Sequence, residues 1–444
     1  MSAPAHSPDT RADAAAQAVY DALYGDAEAR VCKDVPESAC RHLPRNWTLS
    51  TLALSLTKTG DRIADPKLTL TWLFSALGAP AFLIGLIAPV REAGALLPQL
   101  FVSAAIRRRE RRKFVWAAGS FGQAASLALM ALCALTLQGA LAGWLILALL
   151  AVFAVFRSLC SVSHKDVLGK TVSKTRRGAV AGYASSASGL AALIFGAALI
   201  LAPNTNAAAI AAILALAAGL WVIAAFAYLL IVEEKGATEG GANGFFEAIK
   251  QLGLLKSDPA FARFVIARTL MIATSISPPF LVAIARGEAG ANLAGLGGFL
   301  LASAAASFVG GWVLGRFSDV SSRWVLAAGG GAAAAALLGV LIVVETGLPA
   351  ANAFIFHAAM LFLLAFAHQG VRLGRSTYLV DLADAETRAA YTAVSNTVIG
   401  VLLLIVGAIA GAGFQLFGVW VLAGLAAGAL AGAALSVSLK PVSG

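Results

Sequence analysis

The chain has 444 residues, of which 59% are hydrophobic and only 13% charged, with a formal net charge of +10. Soluble domains carry about 25% charged residues, so this composition excludes an ordinary water-soluble globular protein. The positive excess sits mostly in short turns between apolar runs. It reports orientation in a membrane and does not call for a nucleic-acid partner.

Residues 1–45 lack the apolar core of a signal peptide and read as a cytoplasmic segment. Ala14 to Tyr24 has the pattern of a short amphipathic helix. Asp34, Pro36 and Glu37 read as a helix start: the Asp oxygen caps, Pro fits the first turn, and Glu reaches back. Cys32, Cys40 and His42 match no common zinc spacing, so no metal is expected. Cys133 and Cys160 fall within spans as packing residues, and no disulfide is expected.

From residue 47 to 437 the chain runs through apolar stretches, at 47–72, 80–103, 114–136, 142–163, 179–202, 207–232, 259–285, 293–315, 324–345, 351–373, 389–412 and 415–437. A helix needs about 20 residues to cross a hydrocarbon core of roughly 30 Å. An all-α polytopic membrane protein with twelve transmembrane helices is predicted, since a barrel would show short alternating strands. The turns after even-numbered spans hold Arg107, Arg108, Arg109, Arg111, Arg112 and Lys113, then Lys165, Lys170, Lys174, Arg176 and Arg177, and later Arg316, Arg323, Arg375 and Arg388. The odd-numbered turns offer Arg286 and little else. Both termini are therefore expected in the cytoplasm of a multi-pass inner-membrane protein.

A connection at 233–258 separates one bundle, 46–232, from a second, 259–437, with a tail at 438–444. Within the connection Phe245, Phe246, Ile249 and Leu252 recur at helical spacing, as on a helix lying on the membrane surface. Asp258-Pro259 then opens the seventh span. A shift of 211 residues carries Arg112 onto Arg323, Ala104 onto Gly315, Arg108 onto Asp319, Arg177 onto Arg388 and Arg157 onto His368. One register aligning separate loops indicates a duplicated half.

The first span carries a polar stripe: Thr48, Thr51, Ser55, Lys58, Arg62, Asp65 and Thr69 recur at steps of three and four, with Asp61 beside them. An ionised group at mid-depth in lipid costs roughly 2.5–3.5 kcal/mol, so this face must meet water or partners. Further intramembrane charges are Arg91 and Glu92 in the second span, Arg157 in the fourth, Arg268 in the seventh, and His368, Gln369 and Arg372 in the tenth. Their convergence on one aqueous site is the main site expectation. Asp61, Asp65 and Glu92 are the acids available for proton uptake. The cations outnumber them, which favours an anionic or carboxylate-bearing solute. Alternatively several of these groups pair within the protein, for example Arg62 with Asp65 and Arg91 with Glu92. His357 reads as a boundary residue. Gly424, Gly428 and Gly432 form a small-residue ridge, suited either to packing within one chain or to dimerisation.

Gly315, Asp319 and Arg323 match a Gly-x3-Asp-x3-Arg pattern in the turn after span eight. With Phe156-Arg157, the downstream Arg177-Gly178 and Leu77-Gly78-Ala79-Pro80, this resembles the major facilitator superfamily over residues 46–437. The resemblance implies two pseudo-symmetric six-helix bundles around a central cavity, lined by the first and fourth spans of each half, and a protein that works as a monomer by alternating access. The 211-residue register, which equates His368 with Arg157, would set the two facing each other across the pseudo-twofold axis. Two departures stand out. The first-half motif has Ala104 for Gly and Arg108 for Asp, and the fifth span lacks a Gly-Pro antiporter pattern. The resemblance places the turn after span two near the start of span eleven when the protein opens outward. An inner clamp of Arg107, Arg108 or Arg109 with Asp381, Asp384 or Glu386 is therefore expected, against simple solvation of these loop charges. Arg108, Arg112, Gly315, Asp319, Arg323 and Asp384 are the gating residues on this reading. With no nucleotide loop, nucleophile elbow or metal constellation, neither an enzyme nor a cofactor is expected. The expected activity is secondary transport of a small organic solute across the lipid bilayer, coupled to protons. The alternatives are a uniporter, a drug or metabolite exporter of the same fold, or a non-transporting receptor or scaffold.

Overall fold

The computed structural model describes residues 11–24, 37–201, 207–238, 249, 251–289, 292–349, 353–384 and 387–442. Two short helices, α1 (Arg11–Tyr24) and α2 (Glu37–Arg41), precede the first crossing segment. That segment comprises α3 (Leu43–Ile63), a π-helical turn at Pro66–Leu70, and α4 (Thr71–Ala76). The rest of the first half is α5 (Ala81–Arg107), α6 (Lys113–Thr136), α7 (Gly139–Thr171), α8 (Lys174–Ile200) and α9 (Ala207–Leu229). After the one-turn α10 (Leu254–Ser257), the second half is α11 (Pro259–Leu270), α12 (Ile272–Ala289), α13 (Leu293–Val320), α14 (Ser322–Glu345), α15 (Phe354–Leu382), α16 (Arg388–Phe417) and α17 (Val421–Val437). No strand occurs among the described residues.

Among the described residues, ten stretches are apolar and long enough to cross a bilayer on composition alone. The first segment is too charged to count, and Ala390–Val437 covers both α16 and α17, which Gly418 divides at φ 54°. The twelve expected spans thus correspond to twelve helical segments. The duplication register holds too: shifted by 211, α7 falls at 350–382 against the observed Phe354–Leu382, and the first helices of both halves break near mid-length.

Proline causes the first break. The residue before a proline is pushed out of the α region and the ring lacks an N–H. Asp65 accordingly adopts φ −54° and ψ 119°, and its Oδ1 accepts the Lys67 amide at 2.8 Å. This corrects the expectation of one stripe running from Thr48 to Thr69. The face ends at Ile63, and Thr69 is fully buried, donating to the Ile63 carbonyl at 2.8 Å. In the second half the break falls at Met271, whose carbonyl accepts from Thr274 Oγ1 at 2.9 Å.

The halves meet where small residues permit close approach. A Cβ on Gly85 of α5 would lie 2.4 Å from the Gly411 Cα of α16, and one on Gly297 of α13 only 2.5 Å from the Gly196 carbonyl oxygen of α8. Both crossings lie on the side opposite the basic turns, where the Phe82 amide also donates to Gln415 Oε1 at 3.2 Å. Towards the basic side, added side chains at Gly178, Gly182, Gly189 and Gly311 would meet nothing. Gly428 and Gly432 pack against Leu270, Met271 and Ala273 of the same chain, so that part of the ridge serves internal packing.

Helix α1 docks on the basic end of α3. Tyr20 is buried edge-on against Trp47 at 5.8 Å, and Thr48 donates to the Ala16 carbonyl at 3.4 Å. The Asp34–Pro36 start lies outside the described residues, as do Phe245 and Phe246. The predicted Asp258 cap forms, its Oδ1 accepting from the amides of Ala260 and Phe261 at 2.9 and 3.1 Å. Cys133 and Cys160 are free thiols. Cys40 is disulfide-bonded, which corrects the expectation of no disulfide: the spacing argument weighed that thiol only as a metal ligand.

Candidate functional site

The break at Asp65-Pro66 turns the end of the first segment across the middle of the molecule. In α3, Asp61 is three residues from Lys58, so both lie on the face towards α7 and α8. Asp61 takes the Arg91 guanidinium of α5 at 3.0 Å through Oδ1 and binds Arg157 of α7 through Oδ2. Arg91 also lies over the Phe153 ring, 5.1 Å from its centroid. Lys58 Nζ donates to Ser185 Oγ at 2.7 Å and to the Ala181 carbonyl at 3.3 Å, both on α8.

Glu92, next to Arg91, points elsewhere. Adjacent helical residues do not share a face, so Glu92 is directed at the broken segment and the second half. Its Oε1 lies 2.6 Å from Lys67 Nζ and accepts from Ser275 Oγ of α12, also at 2.6 Å. Lys67 Nζ in turn reaches Ser275 Oγ at 3.3 Å. The suggested pairs Arg62–Asp65 and Arg91–Glu92 are therefore replaced by Arg91–Asp61 and Lys67–Glu92. Asp65 serves as a backbone cap.

The second-half wall is almost purely basic. Arg268 is buried and donates to Ser395 and to Asn396 Oδ1 (2.9 Å) of α16, with no carboxylate partner among the described residues. His368 Nδ1 is 3.0 Å from Thr274 Oγ1, and the charges acting on it are those of Lys67, Glu92, Arg375 and Arg372. Arg157 and His368 each bond within their own half. Gln369 donates to Ser307 at 3.1 Å. His357 is fully buried.

Arg62, Arg372 and Arg375 make no hydrogen bond or ion pair among the described residues. Arg372 is nevertheless solvent-exposed, although ten residues, about 15 Å of helix, separate it from the basic end of α15. Arg372 is thus exposed well within the length of α15, and the glycine crossings join the halves on the other side.

At the first-half turn, Arg112 is buried and bound to Asp166 of α7, and donates to the Arg107 and Ala237 carbonyls at 3.1 and 2.8 Å. The fully buried Glu233 carboxylate accepts the amides of Arg112 and Lys113 at 3.0 and 2.7 Å and Lys170 Nζ at 2.9 Å. An acid at a helix N-terminus is favoured by the unpaired amides there, so Asp166 and Glu233 supply the negative charge that Arg108 lacks. Arg108 and Asp384 are exposed, and no ion pair joins them in this conformation. Gly315 and Asp319 lie in the last turns of α13, their side chains outside the described residues. Arg323 donates to the Leu439 carbonyl at 3.2 Å. Glu386 is outside the described residues.

Sequence reasoning missed Lys67, Ser275 and Arg375. Lys67 followed a proline and fell off the assumed stripe, and Ser275 carries no charge to draw notice. Arg375 was counted among the turn cations, yet α15 runs on to Leu382. Its three-residue spacing from Arg372, one of the two steps that defined the stripe in the first span, was the available signal.

The Major Facilitator Superfamily family model matches residues 51–397. The chain belongs to the major facilitator superfamily. The solved nucleoside transporter NupG is similar in fold, with a TM-score of 0.66 at 13% identity over 89% of this chain and 100% of that one. A D-xylose-proton symporter gives 0.65 at 11% identity, over 90% and 98%. A POT family transporter in complex with 5-aminolevulinic acid gives 0.64 at 13% identity, over 90% and 96%. No curated protein matches the chain in sequence. Membership makes this superfamily protein a multi-pass membrane protein of a transporter family, and such low identities speak for the fold alone.

Proposed function

We propose that the chain is a secondary transporter of a small organic anion, carboxylate- or phosphate-bearing, working by rocking two six-helix halves around the central cavity. The observation that carries this reading is the set of three guanidiniums, Arg62, Arg372 and Arg375, that make no ion pair or hydrogen bond among the described residues, with Arg372 exposed. A planar guanidinium matches carboxylate and phosphate oxygens in bidentate fashion. The three acids nearby are already engaged, Asp61 by two arginines, Glu92 by Lys67 and Ser275, and Asp65 by the Lys67 amide. By the basic-turn rule the open side is cytoplasmic and both termini lie there.

A second reading, proton coupling, is favoured by Glu92, the carboxylate shared between the halves. The test compares metabolite contents of cells expressing wild type or Arg372→Gln at matched membrane levels, followed by uptake into proteoliposomes. An organic anion whose distribution follows the wild type alone supports the reading, and a cationic or neutral solute overturns it. Uptake of that anion driven by a pH gradient would support the proton reading.

A further inference from the structure

The second half holds a cluster of hydrogen-bond donors with no negative charge beside it. Arg268 of α11 is only 9% exposed. Its guanidinium donates to Ser395 Oγ at 2.5 Å and to Asn396 Oδ1 at 2.9 Å, both on α16, and its buried Nε has no partner. Both bonds turn the oxygens of Ser395 and Asn396 towards Arg268. The Ser395 hydroxyl hydrogen and the Asn396 amide N–H groups then donate to nothing among the described residues. What the cluster still offers is donors.

Arg375 of α15 faces the same place. Helices α11 and α15 run antiparallel, the first starting and the second ending on the basic side. Two contacts set their register: the rings of Phe264 and Tyr378 stack with centroids 5.1 Å apart, and Thr274 Oγ1 lies 3.0 Å from His368 Nδ1. Arg268 follows Phe264 by four residues and Arg375 precedes Tyr378 by three, spacings that keep a side chain on one helix face. The two guanidiniums therefore share the rung between those contacts. Neither α11, nor α16, nor residues 354–380 of α15 contain an acid, and Glu92 of the first half is held by Lys67 and Ser275. A buried charge is costly unless it is paired.

We propose that Arg268, Ser395, Asn396 and Arg375 hold a small inorganic anion, chloride, as the counter-ion of the second half. A spherical anion accepts from guanidinium, hydroxyl and amide donors together and needs no acceptor in return. Arg268 and Ser395 are buried, which suits a monatomic ion better than an organic molecule. Bound there, the ion joins three helices of one half through a single charge. The site requires neither an anionic solute nor closure of the cavity, and it shares only Arg375 with the solute cations named above.

The test measures the unfolding temperature of the purified full chain in detergent at pH 7, with gluconate replaced stepwise by chloride at constant ionic strength. The parent should gain about 1–3 °C for each tenfold increase in chloride above the dissociation constant, and bromide should act alike. Arg263→Gln, which removes an exposed cation of the same helix, should keep that slope. Arg268→Gln should lose it. Asn396→Asp sets a fixed carboxylate beside Arg268 and should lose the slope too, while unfolding in gluconate no lower than the parent; it decides alone should Arg268→Gln not fold. A parent that unfolds at one temperature in both salts, or a folded Arg268→Gln or Asn396→Asp that keeps the parental slope, overturns the site. If succinate or phosphate gives a slope that chloride does not, chloride is overturned and the cluster belongs to the organic anion. A chloride slope lost in both variants, with no organic anion found in the metabolite comparison, supports this site and overturns only the anionic-solute reading.

Discussion

Lys67 Nζ and Glu92 Oε1 lie 2.6 Å apart at the point where the first segment breaks, and Ser275 of the other half hydrogen-bonds both. The two side chains are 19% and 26% exposed, so water screens the pair only partly. Removing one member of a buried pair costs about 3–5 kcal/mol, because the survivor keeps its desolvation without its partner. Lys67→Met and Glu92→Gln should each lower the unfolding temperature in detergent more than the double variant's loss shared between them, with a coupling energy of about 1–3 kcal/mol. Additive losses in that double-mutant cycle would mean that the contact contributes nothing.

Asp258 offers a pH-dependent test outside the spans. Burial alone would raise its carboxyl, but hydrogen bonds from the Tyr391 hydroxyl and from the amides of Phe261 and Ala260 outweigh it and hold the group below the usual carboxylate range. A lowered folded value stabilises the protein above the unfolded value of about 3.9, and that stabilisation disappears as pH falls through the folded one. Tyr391→Phe removes a hydrogen bond to a charged group, of order 1.5–3 kcal/mol. The variant should unfold at a lower temperature than wild type at pH 7 and approach it in acid. An equal gap at both pH values would assign the loss to packing of Tyr391 on Phe261, 4.1 Å away.

How much of this could be read from the sequence depended on the kind of physics involved. The all-helical, many-spanning character and the Asp258 cap follow from length, periodicity and one short motif, and both are seen. Pairing within the cavity did not follow. Arg91 and Glu92 are chain neighbours, yet one serves Asp61 and the other Lys67 because successive helical residues diverge by about 100°. The break at Asp65 was signalled by Pro66 but hidden by a stripe whose spacing ran straight through it. Glu233 could not be found from charge pattern, because its role comes from the amides of α6 that it faces.

The glycine crossings predict a way to bias the conformation. A side chain at Gly411 would meet the Phe82 carbonyl at 2.3 Å, and backbone cannot move aside as a flexible side chain can. Gly411→Val should therefore open the side opposite the basic turns and abolish transport without unfolding the bundle. Cysteine labelling at Phe82 should become faster than in a Gly411 parent. Labelling at the parental rate, with transport retained, would remove the crossing from the closing mechanism.

Arg108 and Asp384 are the last relationship to test, because this conformation leaves both exposed and apart. Closure of the basic side would bring the turn at Arg108 against the approach to α16. A surface pair contributes under about 1 kcal/mol, so each single reversal, Arg108→Asp or Asp384→Arg, should reduce the closed fraction by about fivefold or less. The double reversal restores opposite charges in swapped order and should recover most of that loss. Distances between spin labels at Arg109→Cys and Thr392→Cys, in the full chain with its native cysteines replaced by serine, report the closed fraction. A double variant no better than its singles would leave Arg108 and Asp384 as solvated loop charges, with Asp166 and Glu233 providing all the fixed electrostatics of the first-half turn.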